Sequence, residues 1–412
     1  MDFMKKLQDE KKKIIMITGE FFPMRGGVAD YSYNISKELA KKYDVIIITS
    51  ENNLFKDEFS NRENIGAIEG LNIGDNIKLF PIIKTKSFKT IPKIVKIIRF
   101  LKPDIIIVQY VPYMYNYYGL PIWLVFLFVI LKLFRHKICL RIHEVAVTLS
   151  YNPIYLLVGL IQRLIIHYLW LLTDIGFINM LSFAKMIKFS KDKIRIIPVC
   201  SSIEVTEEED IKIKAEAAEL KREISENGKF FIISTYGSDA YYKRYDILLE
   251  VLIKNDNLKL LYIGKGNELR NLVEKKCLEN RVIITGYIKH RDVYKYLISS
   301  DIFIFFHSDI RGGVGTKSSS LITAFYAGLP VIGCSGKMTD NFYFKHLENI
   351  YLLNDCSEQA VSKAILEVLN NKELTDKISH GAKNAYQKFF SAEKIADQYI
   401  KNIDNFLQNK KN

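Results

Sequence analysis

The chain has 412 residues, enough for two to three domains each with its own core. Hydrophobic residues make up 49% and charged residues 25%, a balance that excludes a disordered or collagen-like chain, and 59 Lys+Arg against 46 Asp+Glu leave a formal net charge of +13. The five cysteines (Cys139, Cys200, Cys277, Cys334, Cys356) are scattered through mostly apolar runs with no CxxC pair and no HExxH segment; this reads as reduced core thiols in a cytosolic protein and leaves metal chemistry without a sequence basis.

From the N-terminus, MDFMKKLQDEKKK has no apolar segment of the kind a secretory signal needs. Strands are then expected over 14–18, 45–49, 78–81, 104–110, 137–143, 174–178 and 195–199, with helices filling the gaps, an alternation that implies a mostly parallel sheet covered on both faces. The first strand runs into the glycine pair Gly26 and Gly27 at the head of a helix over 28–42, whose apolar Ile35 and Leu39 lie on one face. Two apolar stretches follow, 119–131 and 151–172. The first is short and the second is broken by Gln162, Arg163 and His167, so both are expected as crossover helices buried in the N-terminal domain rather than membrane spans, with part of a face able to dip into lipid.

Charge is unevenly spread. Residues 1–200 carry a net +12 and residues 201–412 a net +1, and between Asn76 and His143 there are 12 Lys+Arg and one acid, Asp104, with aromatic residues interleaved. Such a stretch fits an anionic membrane or another polyanion. Residues 204–227, rich in Glu and Lys, read as a solvated linker with a charged helix. The second half restarts at Lys229, with strands expected over 230–236, 259–263, 281–285, 301–306, 330–334 and 350–353. Between the fourth and fifth of these, Gly312, Gly313 and Gly315 precede Thr316, Lys317 and Ser318 to Ser320 at a helix start. There, unpaired N–H groups and the helix dipole favour an anion such as phosphate. Tail helices run from Glu358 onward.

Several segments together carry a resemblance. They are Pro23 with Gly26 and Gly27, RIHE from Arg141, IPVCSSI from Ile197, YGSDAYYKRYDILLEVL from Tyr236, YIGKGNE from Tyr262, VIITGYI from Val282, and GGVGTKSSSL through AGLPVIG. In order and approximate spacing the chain resembles a retaining GT-B glycosyltransferase of the group 1 type, family 4, over nearly its whole length. The resemblance implies an α/β fold of two Rossmann-like domains facing across a cleft. Residues 1–200 would form an acceptor-side domain, 201–228 a linker, 229–390 a nucleotide-sugar domain, and 391–412 a helix packing back on the first domain.

It also implies a hexosyltransferase-type enzyme that uses a nucleotide-diphosphate sugar as donor substrate and no cofactor. The acceptor would be a glycan or a lipid-linked molecule in polysaccharide or cell-envelope glycan synthesis. The location would be cytoplasmic, peripheral at the inner face of the membrane, with no nucleic acid as partner. Absence of a D-x-D triplet makes metal-free stabilisation of the departing diphosphate the economical reading. Lys243 matches the motif lysine, although Ser238 stands where the family has arginine, so that Arg244 or Lys317 would supply the second cation. His143 falls where the family places a histidine beside the reacting sugar, and Asp30 and Glu144 are further candidates or helix caps. Gly26 and Gly27 would offer backbone N–H groups; Gly237, Gly313, Val314, Gly315, Thr316 and Lys317 would line the donor, with Gly264, Gly266 and Tyr287 beside base and ribose. Gly315 and Thr323 occupy the positions of the family's paired glutamates, leaving Thr323 as an uncharged ribose partner. Two alternatives remain open: a non-catalytic GT-B scaffold or subunit, and a GT-B nucleotide-sugar epimerase, which needs poised carboxylates that the sequence does not reveal.

Overall fold

A computed structural model describes residues 11–52, 71–74, 76–83, 88–146, 152–186, 191–237, 243–306 and 312–409. The chain divides into two compact units: residues 1–197 with 395–412, and residues 198–394.

Unit 1 runs β1 (Lys13–Ile17), α1 (Gly27–Ala40), β2 (Asp44–Ser50), β3 (Leu71–Gly74), β4 (Ile77–Ile83), α2 (Ile91–Leu101), β5 (Ile105–Tyr110), α3 (Pro112–Tyr115), α4 (Ile122–Leu133), β6 (Ile138–Ile142), α5 (Pro153–Leu171), β7 (Ile175–Ile178), α6 (Leu181–Met186) and β8 (Ile194–Ile196). The eight strands are ordered β3-β4-β2-β1-β5-β6-β7-β8, all parallel except the β3–β4 pair. The central strands KIIMI and IIIVQY are apolar on both sides because a parallel sheet is covered on both faces. Right-handed crossovers place α2, α4 and α5, which connect strands stepping from β4 towards β7, on one face, and α1, which steps the other way, on the opposite face. Contacts between α2 and α4 and between α4 and α5 show the three as one layer. On the other face, the Tyr31 hydroxyl of α1 meets that of Tyr399 at 3.0 Å, and Lys12 and Lys42 both pair with Asp404. Tyr399 and Asp404 belong to the last helix of the chain, Ala392–Asn409.

Unit 2 runs α7 (Glu207–Ile224), β9 (Phe231–Tyr236), α8 (Tyr245–Lys254), β10 (Leu258–Ile263), α9 (Asn267–Lys275), β11 (Val282–Ile284), α10 (His290–Ile298), β12 (Ile302–Phe305), α11 (Ser319–Tyr326), β13 (Val331–Cys334), β14 (Tyr351–Leu353), α12 (Glu358–Asn370) and α13 (Lys372–Ala385). Its sheet, β11-β10-β9-β12-β13-β14, is parallel throughout. Leu248, Leu252, Leu260, Ile304, Ile332 and Ile365 are among the residues of one buried cluster joining strands and helices. The stretch expected as a linker holds α7, started by a Thr206–Glu209 capping box, with Ile213, Ala217 and Ile224 buried and contacts to α10.

Two expectations are corrected. The cysteines are not all free: Cys334 at the end of β13 and Cys356 beyond β14 form a disulfide with Cα atoms 6.1 Å apart, because the parallel pairing of β13 and β14 brings both strand ends together. The two apolar stretches of unit 1 are crossover helices, as expected, but each is buried along one face only, through Trp123, Leu124, Leu127, Phe128 and Leu131 of α4 and Ile165, Ile166, Leu169 and Trp170 of α5. Ile122, Phe126, Val129 and Leu133 of α4 and Leu157, Leu160, Leu164, Tyr168 and Leu171 of α5 stand exposed. The sheet takes only one row of each helix, and no second layer among the described residues covers the other.

Candidate active site residues in the two units

In unit 1 the chemistry gathers where β1, β5 and β6 end. The last residue pair of β5, Gln109–Tyr110, and His143 just past β6 are neighbours through the parallel β5–β6 register. The His143 backbone N–H donates to the Tyr110 carbonyl at 3.0 Å, and its ring Nε2 lies 2.7 Å from Gln109 Oε1. Gln109 directs its amide Nε2 to the Met16 sulfur at 3.4 Å, so its oxygen faces the imidazole and accepts from Nε2–H, leaving the lone pair on Nδ1. The edge of His143 meets the Tyr31 ring at 4.9 Å, and Asn179 donates to its carbonyl at 3.2 Å. Arg141, fully buried, donates to the Ile197 carbonyl at 2.6 Å and lies 5.0 Å from the Tyr31 ring. Burial, reinforced by the Arg141 charge, holds His143 well below its ordinary value of 6.5. The imidazole is therefore neutral and fixed in one tautomer: a positioned hydrogen-bonding group.

Gly26 precedes α1 with extended backbone, and Glu20 Oε2 would stand 2.5 Å from a Cβ placed on it, so the carboxylate rests on the bare glycine. A Cβ on Gly27 would meet nothing within 4 Å. Burial first, then the charges of Asp30 and Glu144, raise Glu20 above the ordinary carboxylate value of 4.5. Asp30 and Glu144, named from the sequence as further candidates, are near enough to act on Glu20, a carboxylate the sequence did not single out. Among the described residues no three or more His, Cys, Asp or Glu side chains form a group that could hold a metal ion.

In unit 2 the turn after β9 carries the cation. Lys243 is buried, with Nζ donating to the Tyr236 carbonyl at 2.9 Å and lying 5.0 Å from the Tyr262 ring. The same ammonium would be 3.3 Å from a Cβ on Gly237, and Ser320 Oγ 3.9 Å from that point. Lys243 and the first turn of α11 therefore flank one bare glycine face. Gly237, with φ 124°, is itself pinned: its carbonyl accepts from the Tyr262 hydroxyl at 3.0 Å and would stand 2.4 Å from a Cβ on Gly264, whose φ is 150°. Tyr245 donates to Tyr262 at 3.1 Å, fixing the ring under the lysine. The Gly264 N–H donates to Thr285 Oγ1 at 3.2 Å; Gly266 starts α9 and Tyr287 is exposed.

The other sequence candidates are placed less openly. Gly313 is required by the protein's own packing, since at φ 76° a Cβ there would come within 2.3 Å of the Gly336 nitrogen. The Val314 N–H is taken by the Cys334 carbonyl at 2.8 Å, Gly315 accepts from Ser318 N–H at 3.2 Å, and the Thr316 carbonyl accepts from Val199 at 3.0 Å. Lys317 is partly buried beside Ser318, whose hydroxyl caps α11. Thr323 is fully buried rather than open to a ribose: its hydroxyl donates to the Ser319 carbonyl at 2.8 Å and sits 3.1 Å from both Ser201 and Ser202 hydroxyls. The α11 helix presents position 323 to the 201–202 loop, so the Thr323 hydroxyl is engaged within unit 2. Arg244 is left-handed at φ 48° and bound to Asp246 through three contacts of 2.9 to 3.2 Å, so its charge is already met. Ser238 lies outside the described residues.

Residues 216–385 match the family model described as glycosyl transferases group 1. An uncharacterized glycosyltransferase of Methanocaldococcus jannaschii is 26% identical over 148 residues, 35% of this chain and 36% of the relative. The O-antigen chain mannosyltransferase C of Escherichia coli is 22% identical over 235 residues, 56% of this chain and 60% of the relative. The chain thus spans about a third and three fifths of these two relatives' lengths. Among solved structures, Anabaena HepE in complex with UDP and glucose superposes with a TM-score of 0.68 at 13% identity, covering 96% of this chain and 100% of that one. The sucrose-phosphate synthase of Thermosynechococcus elongatus superposes with a TM-score of 0.69 at 15% identity, covering 97% and 100%. The fold of two parallel sheets is that of GT-B proteins.

Proposed function

We propose, from the premise that residues 216–385 belong to the glycosyl transferases of group 1 and that the chain has a GT-B fold, that this protein transfers a hexose-type sugar from a nucleotide-diphosphate donor. Transfer would proceed with retention and without a metal, to a glycan or lipid-linked acceptor at the inner face of a membrane. The observation that carries the reading is the convergence on Gly237 of the buried Lys243 ammonium and the first turn of α11. A leaving diphosphate needs fixed positive charge and N–H dipoles aimed at its oxygens, and a cation already desolvated acts on it more strongly than one in water. His143, neutral and donating through Nε2 to Gln109, is suited to orienting sugar hydroxyls and not to accepting a proton from the acceptor at low pH. The solved relative bound to UDP and glucose and the E. coli mannosyltransferase are in keeping with a nucleotide-sugar donor.

A second reading is favoured by one observation. Glu20 with Asp30 and Glu144 supplies the carboxylates that a nucleotide-sugar epimerase would need, and a putative UDP-N-acetylglucosamine 2-epimerase of Listeria monocytogenes superposes with a TM-score of 0.53. Titration calorimetry with UDP and GDP, followed by proton NMR of the donor incubated with and without glycan acceptors, tests both. Sugar transfer reads out as a new glycoside with the donor's anomeric configuration, epimerisation as an altered nucleotide sugar without acceptor. Absence of nucleotide binding by wild-type protein would leave only a scaffold.

A further inference from the structure

We infer that unit 1 enters the acyl boundary of an anionic bilayer through the outward rows of α4 and α5, while α2 lays a row of cations along the headgroups. The inference deepens the membrane location proposed above, replacing adsorption by charge with insertion, and it does not depend on sugar transfer.

On α5 the residues Leu157, Leu160, Leu164, Tyr168 and Leu171 recur at three- and four-residue spacing and are 49 to 60% exposed, with Ile154 and Tyr155 adding 71% and 56% at its N-terminal turn. On α4 the row is Ile122, Phe126, Val129 and Leu133, 41 to 75% exposed. The only polar groups within the rows are the tyrosine hydroxyls, and the half-buried Arg163 and His167 border the α5 row on one side. On α2 the outward row is Lys93, Lys96, Arg99 and Phe100, preceded by exposed Lys89. The rows adjoin: Phe88 meets Phe126 edge to face at 5.3 Å, and the Arg99 guanidinium lies 5.1 Å from the Phe134 ring. A continuous apolar face of two helices is far larger than single exposed hydrophobic residues explain.

Three occupants could cover it. Spanning is ruled out by the inner row of α5, where Gln162, Ile165, Ile166, Leu169 and Trp170 are buried against the rest of the unit. The Trp170 ring lies on Gly176 of β7, 2.1 Å from where a Cβ would be, so α5 is pinned as a crossover helix although its length and composition would suffice to cross a membrane. A second copy is disfavoured by charge. Between Asn76 and Asp174, a stretch that includes α2, α4 and α5, the sequence holds two acids, Asp104 and Glu144, so two such faces would oppose cation to cation with few carboxylates to match. An anionic lipid surface answers each feature: apolar rows to acyl chains, tyrosines and phenylalanines to the interface, and the lysine–arginine row to phosphates.

Vesicle flotation of the full chain decides. With phosphatidylcholine vesicles containing phosphatidylglycerol, binding should persist at about 1 M salt, where the Debye length falls to about 3 Å. The double variant Leu160→Glu/Leu164→Glu should lose about a hundredfold or more in partitioning, with wild-type circular dichroism and wild-type nucleotide binding. In the single variant Leu160→Trp, the introduced indole should blue-shift on adding vesicles and be quenched by brominated acyl chains, against a wild-type background in which Trp123 and Trp170 are both buried. That depth reading decides the matter even if the double variant does not fold. Release of wild-type protein by salt, together with no added quenching in Leu160→Trp, would overturn insertion. So would a lipid-free dimer that the double variant converts to monomer while vesicles are ignored, which would assign the face to a second copy.

Discussion

In unit 1 the helices turn rows of Leu, Ile, Phe and Tyr outward, whereas in unit 2 helices on the same kind of parallel sheet turn outward chiefly charged and polar residues. Among the described residues, 19 exposed large hydrophobics belong to unit 1 and five to unit 2. The charge follows the same division, +12 over residues 1–200 against +1 over 201–412. A parallel sheet dictates only the inner row of a crossover helix, so the outer row is free to be set by whatever that unit meets. The difference also separates two kinds of chemistry: unit 2 buries a lysine beside a helix start, and unit 1 buries a neutral imidazole and holds a half-buried carboxyl, Glu20, raised above its ordinary value.

The sharpest break of this comparison is in unit 2. Lys243→Ala should cost about 2 to 4 kcal/mol of transition-state stabilisation in kcat/KM, the scale of one preorganised charge partner, and Lys243→Arg should keep part of it. An unchanged rate in a folded Ala variant would move the diphosphate to Lys317. Next in size, Thr323→Val should lower unfolding stability by about 1 to 3 kcal/mol, because Ser201, Ser202 and the Ser319 carbonyl lose a buried partner. Its donor KM should stay at the wild-type value; a raised KM with unchanged stability would return Thr323 to the ribose.

Unit 1 is broken by pH. His143 has its folded pKa depressed below 6.5, so the unfolded chain binds the proton first. Stability from this group is complete above pH 6.5 and declines as pH falls from there towards the folded value. Burial lowers His136 too, adding to the same slope. Chemical denaturation from pH 7.5 to 5 should therefore show a shallower decline in His143→Gln than in wild type; parallel slopes would contradict the buried neutral imidazole. The smallest effect is Glu20→Gln. Glu20 is raised, so the folded state keeps its proton to higher pH than the unfolded chain, and stability falls as pH rises through 4.5 to the folded value. The amide should be slightly more stable than wild type at pH 7 and indistinguishable from it at pH 4, by thermal melts.

All thirteen strands expected from apolar runs are present to within a few residues at their ends, because period and length discriminate strands buried on both faces from loops. The strand not foreseen, Leu71–Gly74, is a short antiparallel edge whose LNIG carries no run of that kind. RIHE singled out His143 and the segment from Tyr236 singled out Lys243, since motifs report the ends of strands and starts of helices, where the structure puts both residues. Gln109 was missed although a lone polar residue at the carboxyl end of a buried strand was the available signal. Glu20 was missed because one acid in a loop has no spacing to mark it; only the fold brings Asp30 and Glu144 within reach. For α4 and α5 the sequence allowed part of a face to reach lipid but not which residues form it, because in a mostly apolar helix the side that lacks a partner is decided by layers. Thr323 and Gly313 illustrate the converse, positions whose motif suggests a ligand but whose neighbours are the protein itself.

The central claim, sugar transfer through a fixed-cation diphosphate site, is tested most directly by incubating purified protein with a panel of nucleotide sugars and candidate acceptors in EDTA and measuring released nucleoside diphosphate. Release from one donor, acceptor-dependent and equal in rate with EDTA or added magnesium, is the predicted result. Release that stops in EDTA and returns with magnesium or manganese, or no release from any donor, would contradict it.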